Sequence, residues 1–467
     1  MRMLPVSDPD RIEKDSFGEI RVAAGALWGA QTQRAAENIR IGQERMPTEI
    51  IRAIGLVKWA AALTNGELGE LPAPLAEAIA AAALEVAEGG HADQFPLGVF
   101  QTGSGTSTNM NVNEVVAQLA GARLGRRVHP NDEVNRCQSS NDVVPTSIHV
   151  AAAVALRSSL LPSLRRLAAA IDSRAREIGG QVKAGRTHLM DALPVTLGQE
   201  MGAWRTHVED AAARLQAAEP RLHRLALGGT AVGTGVNAHP EFARRAIARL
   251  AERTGIPFTG APDRFAVMAS QDAAVELSGA LRGAAVALLK ISNDLRWMNS
   301  GPLAGLSEVA LPALQPGSSI MPGKVNPVIP EAVVMAATRV IGNDAAVAMA
   351  GASGNFQLNV MLPLIADALT GSLRLIADSA DALATRVFPG LVVHAERLSA
   401  SLARNPMLLT ALAPRIGYDR AAAIAKRAAA ESRPILEIAV EETGLPREEL
   451  ARILDPVRLA RGEAPGD

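Results

Sequence analysis

The chain has 467 residues, 48% hydrophobic and 20% charged, with Lys and Arg (47) nearly matching Asp and Glu (48) for a formal net charge of -1. The balanced charge excludes the basic footprint of a nucleic-acid binder, and no uninterrupted apolar run approaches the roughly 20 residues of a membrane span. A single cysteine, Cys137, excludes an internal disulfide and a cluster held by about four thiolates.

The length exceeds what one hydrophobic core serves, so two or three domains are expected. Aromatic residues make up only 3%. Alanine, the best helix former, is abundant, and few segments alternate β-branched with polar residues, so the fold is expected to be all-α. The N-terminal stretch MRMLPVSDPDRIEKD is polar and lacks the apolar core of a secretory signal, so a cytoplasmic location is expected.

Taken in chain order, residues 1–140 read as a mostly helical first domain. A long helix is predicted from just after Pro145 to Arg176, with Leu160, Leu164, Leu167 and Ile171 along one face and a kink at Pro162. A third helix is expected over 197–225. The clearest periodicity follows at 271–299, where Leu277, Leu281, Ala284, Leu288, Ile291, Leu295 and Met298 recur at spacings of four and three. Val286 and Leu289 add a second apolar face, so this helix is expected to be surrounded. Helices over 331–350 and 357–385 complete a five-helix bundle within a central domain, 141–395. Residues 396–467 form a small helical domain. Helices of 25–30 residues measure roughly 40 Å at about 1.5 Å per residue. Apolar residues on more than one face of such a bundle imply burial against copies of the same chain, hence a homo-oligomer.

Four polar islands interrupt the helices. The first, Gln101–Glu114 (QTGSGTSTNMNVNE), offers hydroxyls, amides and glycines that let backbone N–H groups approach an oxygen-rich anion. It reads equally as a capped helix start. The second joins His129-Pro130-Asn131-Asp132 to Cys137–Pro145, where Ser139, Ser140 and Asn141 precede a helix and either donate to an anion or simply cap. The third, Gly185–Pro194 (GRTHLMDALP), places His188 beside Thr187 in a polar turn, and only this one of the eight histidines is poised for general acid/base work. The fourth, Gln315–Glu331 (QPGSSIMPGKVNPVIPE), reads as a lid, with Gly317 and Gly323 as hinges and Lys324 as the charge for a carboxylate. A nucleotide P-loop does not fit, because five residues separate Gly317 from Gly323 and Val325 follows Lys324. Gly228–Gly235 likewise lacks the strand and third glycine of a dinucleotide site. No cofactor is expected.

GSSIMPGKVNP resembles the signature loop of the fumarase/aspartase superfamily. TGSGTSTNMNVNE, HPND, QSSND, GRTHLMDALPVTLGQE and GGTAVGTGVN match the same family in the same order over nearly the whole chain. The resemblance implies an all-α, three-domain, fumarase/aspartase-like fold and a metal-free lyase acting on fumarate and its adducts. Aspartate ammonia-lyases usually carry glutamine where His188 stands and alanine where Gly323 stands, although PVIPEAV leans toward them. Hydroxide is a poor leaving group and needs a proton, whereas ammonium does not, so His188 favours the fumarase branch. A lyase scaffold kept for bulk structure is the alternative from another class, and the retention of His188, Ser318 and Lys324 argues against it.

The resemblance further implies the roles. Ser318 takes the C3 proton, and His188, polarised by Glu331, serves the leaving group. Thr187, Ser319, Lys324, Val325 and Asn326 hold the carboxylate that gathers charge. Ser104, Gly105, Thr106, Ser139, Ser140 and Asn141 hold the remaining oxygens. His129, Pro130, Asn131 and Asp132 form a secondary dicarboxylate site. In that family each site is shared between subunits of a homotetramer.

Overall fold

The computed structural model describes residues 10–463, and the polar N-terminal stretch as far as Pro9 lies outside them. Helices dominate: α1 (Ala30–Asn38), α2 (Thr48–Glu67), α3 (Ala73–Ala87), α4 (Thr106–Leu124), α5 (Ser140–Ala155), α6 (Leu161–Ile178), α7 (Leu197–Leu222), α8 (Phe242–Thr254), α9 (Arg264–Ala269), α10 (Asp272–Met298), α11 (Val328–Gly351), α12 (Leu362–Ala382) and α13 (Ala395–Ala403). Five further helices follow: α14 (Ala413–Ile416), α15 (Tyr418–Glu431), α16 (Ile435–Thr443), α17 (Arg447–Ile453) and α18 (Pro456–Ala460). Among the described residues every sheet has two strands. The longest are the hairpins β1–β2 (Arg11–Asp15, Gly18–Val22) and β3–β4 (Val182–Thr187, Met190–Thr196).

The chain divides into two compact units. One takes the described part of Met1–Pro162 with Ala211–Ala285 and Ala336–Ala377; the other takes Ser163–Asp210, Val286–Met335 and the described part of Asp378–Asp467. In the first, α2 packs on α3, α5 and α8, and α4 on α1, α3 and α5. In the second, α13 lies on β3 and α18 on β4, while Leu412, Ile424, Ile435, Ile438 and Leu450 close a separate small core.

The apolar stripe of α10 is buried throughout, from Leu277 at 0% to Met298 at 3% exposed. Its second face is not: Val286 is 53% exposed, so within one chain α10 is not surrounded. The helix expected after Pro145 starts five residues earlier, at Ser140. Ser139 caps it, its hydroxyl accepting from Asn141 N–H while the Asp142 carboxylate accepts from Ser139 N–H. At Pro162 the sequence led to a kink. The structure shows a π turn over Leu156–Leu160 just before it, an alternative way of accommodating a residue without an N–H.

Polar pairs tie the long helices to one another. Asp344 on α11 accepts from Ser278 and Arg282 on α10, both at 2.7 Å. Asp381 on α12 accepts from Ser163 and Arg166 on α6. Trp204 on α7, 1% exposed, donates Nε1–H to Asp294 on α10 at 3.0 Å. Two helical runs, Ser140–Ile178 and Val328–Gly351, match a membrane span in length and apolarity, with mean hydropathy 1.3. The apolar window of the first is 72% buried as a core helix, whereas that of the second is only 28% buried in one chain.

His149, buried on α5, donates Nδ1–H to Arg224 O at 3.0 Å. Burial outweighs the hydrogen bonds to Arg224 and Leu222 and pushes its pKa down to about 4. Below about pH 6.5 the unfolded chain therefore takes up a proton that the folded chain refuses, and stability falls as pH drops toward 4. Between about pH 7 and about pH 5 this group alone should remove about 2 kcal/mol of unfolding free energy. Denaturant unfolding of a His149→Gln variant at both pH values should show that slope reduced; an unchanged slope would assign acid lability elsewhere.

Candidate active site

The first two islands meet in the first unit. Gly105, at φ 74°, caps α4 without a side-chain hydrogen bond, and a Cβ there would stand 2.9 Å from Val144 on α5. Gly103 is tighter still: a Cβ would lie 1.7 Å from Val360 O, and its own carbonyl accepts from Leu362 N–H at 2.9 Å. Ser104 and Thr106 pair their hydroxyls at 2.7 Å. Gln101 accepts from the backbone and hydroxyl of Thr108. Gly105 itself supplies no side-chain cap, and with Thr108 N–H taken by Gln101 the amides of Thr106 and Ser107 are the ones offered to an anion.

Ser140 Oγ accepts from Asn109 Nδ2 on α4 at 2.9 Å, which ties the start of α5 to α4. Asn141 donates Nδ2–H to Ala231 O at 2.9 Å. Asp142 is fully buried; besides capping Ser139 it accepts from Gly228 N–H and Thr230 N–H, both at 2.9 Å. Burial still dominates and pushes its pKa up to about 6. The glycine-rich 228–235 stretch, whose role was open in the sequence, is thus the seat of the Ser139–Asn141 turn.

His129 precedes a π turn over Pro130–Val134, and its Nδ1 accepts from Asp132 N–H at 3.1 Å. His129, Pro130 and Asn131 line a cleft of about 890 Å³ whose walls add Arg11, Lys14, Arg126 and Arg127 alongside Glu13, Asp15 and Glu114. Asp132 is exposed beside it.

In the second unit, Thr187 and His188 sit at the exposed tip of the β3–β4 hairpin. His188 (φ 55°) and Leu189 (φ 61°) are both left-handed, the backbone of a tight two-residue turn. The polar turn expected around His188 is the tip of a hairpin, and strand β4 separates it from α7. The hairpin stem carries what sequence reasoning missed. Successive strand residues point to opposite faces, but the register shifts between Ala184 and Arg186, where a Cβ on Gly185 would meet Leu193 O at 2.7 Å. That shift lets Lys183 and Arg186 reach one carboxylate. Glu308, 3% exposed, takes Lys183 at 2.7 Å through one oxygen and Arg186 at 2.7 Å through the other. Glu200 gives Lys183 a second partner at 2.9 Å. The charges balance, as a buried cluster requires.

The lid is closed on itself. Gly317 N–H donates to Lys324 O at 2.7 Å, and Asn326 Nδ2–H donates to Gly317 O at 2.8 Å. Ser318 Oγ accepts two lid amides, from Ile320 at 3.2 Å and Met321 at 3.0 Å. Ser319, Lys324 and Val325 are exposed, Ser318 and Asn326 half-buried, and Glu331 opens α11. Gly323 to Pro327 and Glu331 border a cleft of about 710 Å³ shared with Arg296, Asn299, Ser307 and His394. Among the described residues no hydrogen bond joins His188 to Glu331, and no group of three or more His, Cys, Asp and Glu is placed to hold a metal.

A predominantly helical chain bearing these motifs falls in a known class. The family profile described as lyase matches residues 18–342, and that described as the fumarase C C-terminus matches 408–461. The chain belongs to the class II fumarate hydratases, which are carbon–oxygen hydro-lyases. It is 57% identical over 98% of its length, and 96% of the relative's, to a class II fumarate hydratase of Xylella fastidiosa. A second such enzyme, of Pseudomonas aeruginosa, is 55% identical over 97% of this chain and 99% of its own. The crystal structure of class II fumarase from Schistosoma mansoni superposes with a TM-score of 0.92 at 37% identity, covering 97% of this chain and 99% of that one.

Proposed function

We propose that this chain catalyses the reversible anti hydration of fumarate to (S)-malate, the step of the tricarboxylic acid cycle, as a cytoplasmic homotetramer. The observation that carries the reading is Ser318. A serine hydroxyl is a weak base, and two lid N–H groups aimed at its oxygen favour the oxyanion over the neutral form.

In malate dehydration Ser318 takes the C3 proton, and the electron pair passes into the C4 carboxylate as an aci-carboxylate. Lys324 and Asn326, with Val325, Ser319 and Thr187 beside them, receive the charge gathered there. Collapse of the aci-carboxylate expels the C2 hydroxyl, which leaves as water on a proton from His188. Ser104, Gly105, Thr106 and the Ser139–Asn141 turn hold the other oxygens through two helix N-termini. Glu331 orients His188 from another subunit, which accounts for the missing pair within one chain. The poorly buried α11, with Met335 68% and Met349 75% exposed, is the face that the tetramer covers. The family's three-part division at about 140 and 395 goes with this reading. The His129–Asp132 cleft, walled by Arg126 and Arg127, takes a second dicarboxylate.

The deciding assay follows fumarate absorbance from malate and from aspartate in parallel, with the oligomer sized in the same buffer. Malate should be the source and the particle a tetramer; fumarate arising mainly from aspartate would overturn the hydratase reading.

A further inference from the structure

Lys58 sits midway along α2 with no exposed surface, between core residues Ile54, Val57 and Ala61. Removing an ammonium from water is costly, and an apolar side chain of similar volume is often neutral or better for stability. A buried lysine therefore calls for another reason.

Its Nζ donates to Asn135 Oδ1 at 2.8 Å and to Gln138 Oε1 at 2.9 Å. Both acceptors lie on the short segment between the Pro130–Val134 π turn and the Ser139 cap. That segment curls around the ammonium. Asn135 Nδ2–H donates to Gln138 O at 3.2 Å, and Gln138 Nε2–H donates to Val134 O at 3.2 Å and Arg136 O at 3.0 Å. Asn135 Oδ1 also receives Asn109 Nδ2–H at 3.3 Å, and Asn109 donates in turn to Ser140 Oγ. A continuous hydrogen-bond path thus runs from Lys58 to Ser140. The buried Asp142 carboxylate favours the ammonium, while burial itself pulls Lys58 down to about 7.

We propose that Lys58 is a positioning residue for substrate binding: it sets the fold of residues 135–141, and thereby the Ser139-Ser140-Asn141 face offered to a substrate carboxylate. The proposal rests on the reading that this face holds substrate oxygens. Lys58 touches no substrate and acts only through the turn. Loss of its charge-assisted hydrogen bonds therefore weakens binding before it slows chemistry.

The test compares Lys58→Met, close in shape but uncharged, with the intact enzyme. KM for fumarate should rise about tenfold or more while kcat stays within about threefold. In a Ser140→Ala, Asn141→Ala background the same replacement should change KM by less than about twofold, because residues acting through one turn are not additive. An undiminished KM effect in that background, or a kcat loss with KM unchanged, overturns the proposal. Should Lys58→Met fail to fold, Gln138→Leu decides. It removes one acceptor and leaves Asn135, and KM should rise about threefold or more; an unaltered KM overturns the proposal. Intact enzyme that released no fumarate from malate would instead sink the hydratase reading, a separate result.

Discussion

Replacing Ser318 with alanine should lower kcat for malate dehydration by about a thousandfold, the contribution of a positioned proton acceptor. KM should stay within about threefold, because Lys324 and Asn326 remain. The lid itself should survive: Gly317 N–H to Lys324 O and Asn326 Nδ2–H to Gly317 O do not involve the Ser318 side chain. What vanishes is the oxygen on which the amides of Ile320 and Met321 converge, so a water can occupy the place but not in the geometry for C3. Steady-state kinetics on the folded variant check this, and wild-type turnover would remove Ser318 from the mechanism.

His188→Asn should cost about a hundredfold or more in malate dehydration, because hydroxide then leaves without its proton. The exposed hairpin tip tolerates the change: asparagine accepts the left-handed backbone at φ 55°, and the Lys183–Glu308–Arg186 cluster holds the stem. Chemistry provides the control. With chlorosuccinate the departing chloride needs no proton, so the same variant should lose about tenfold or less. Equal losses on both substrates would mean that His188 binds or orients and does not donate.

The two variants probe parts of the site that were unequally legible. Ser318 and Lys324 lie within one uninterrupted motif, and the hydroxyl, the lysine and the flanking glycines are all visible as letters. That two amides reach back to Ser318 depends on the turn at 318–321, a backbone property no residue name spells out. His188 was visible as a residue type, but its strand-borne tip was not. β3 and β4 pair along their length, but a bulge between Ala184 and Arg186 breaks the alternation, so no long regular pattern announced them. The Glu308 anchor was missed altogether, because a glutamate near a lid reads as solvent-facing until its burial at 3% is known. The bland reading of the second island, a capped helix start, describes Ser139 as it stands, and its proposed substrate role is an addition to that cap.

The sequence alone determined the helical class, the main apolar stripe, the four polar motifs and the family, because periodicity and motif spacing are local and survive in the bare order of residues. The stripe from Leu277 to Met298 needed nothing beyond its own spacing. Tertiary structure decided which buried charges meet. Lys58 and Asn135 are 77 residues apart and Asp142 and Gly228 are 86, and only folding prices an unpaired charge out of the core and so selects its partner. The exposed face of Val286 and α11 was settled in the same way: an apolar periodicity says that a face is to be covered, and only the folded chain shows that its own residues leave it bare.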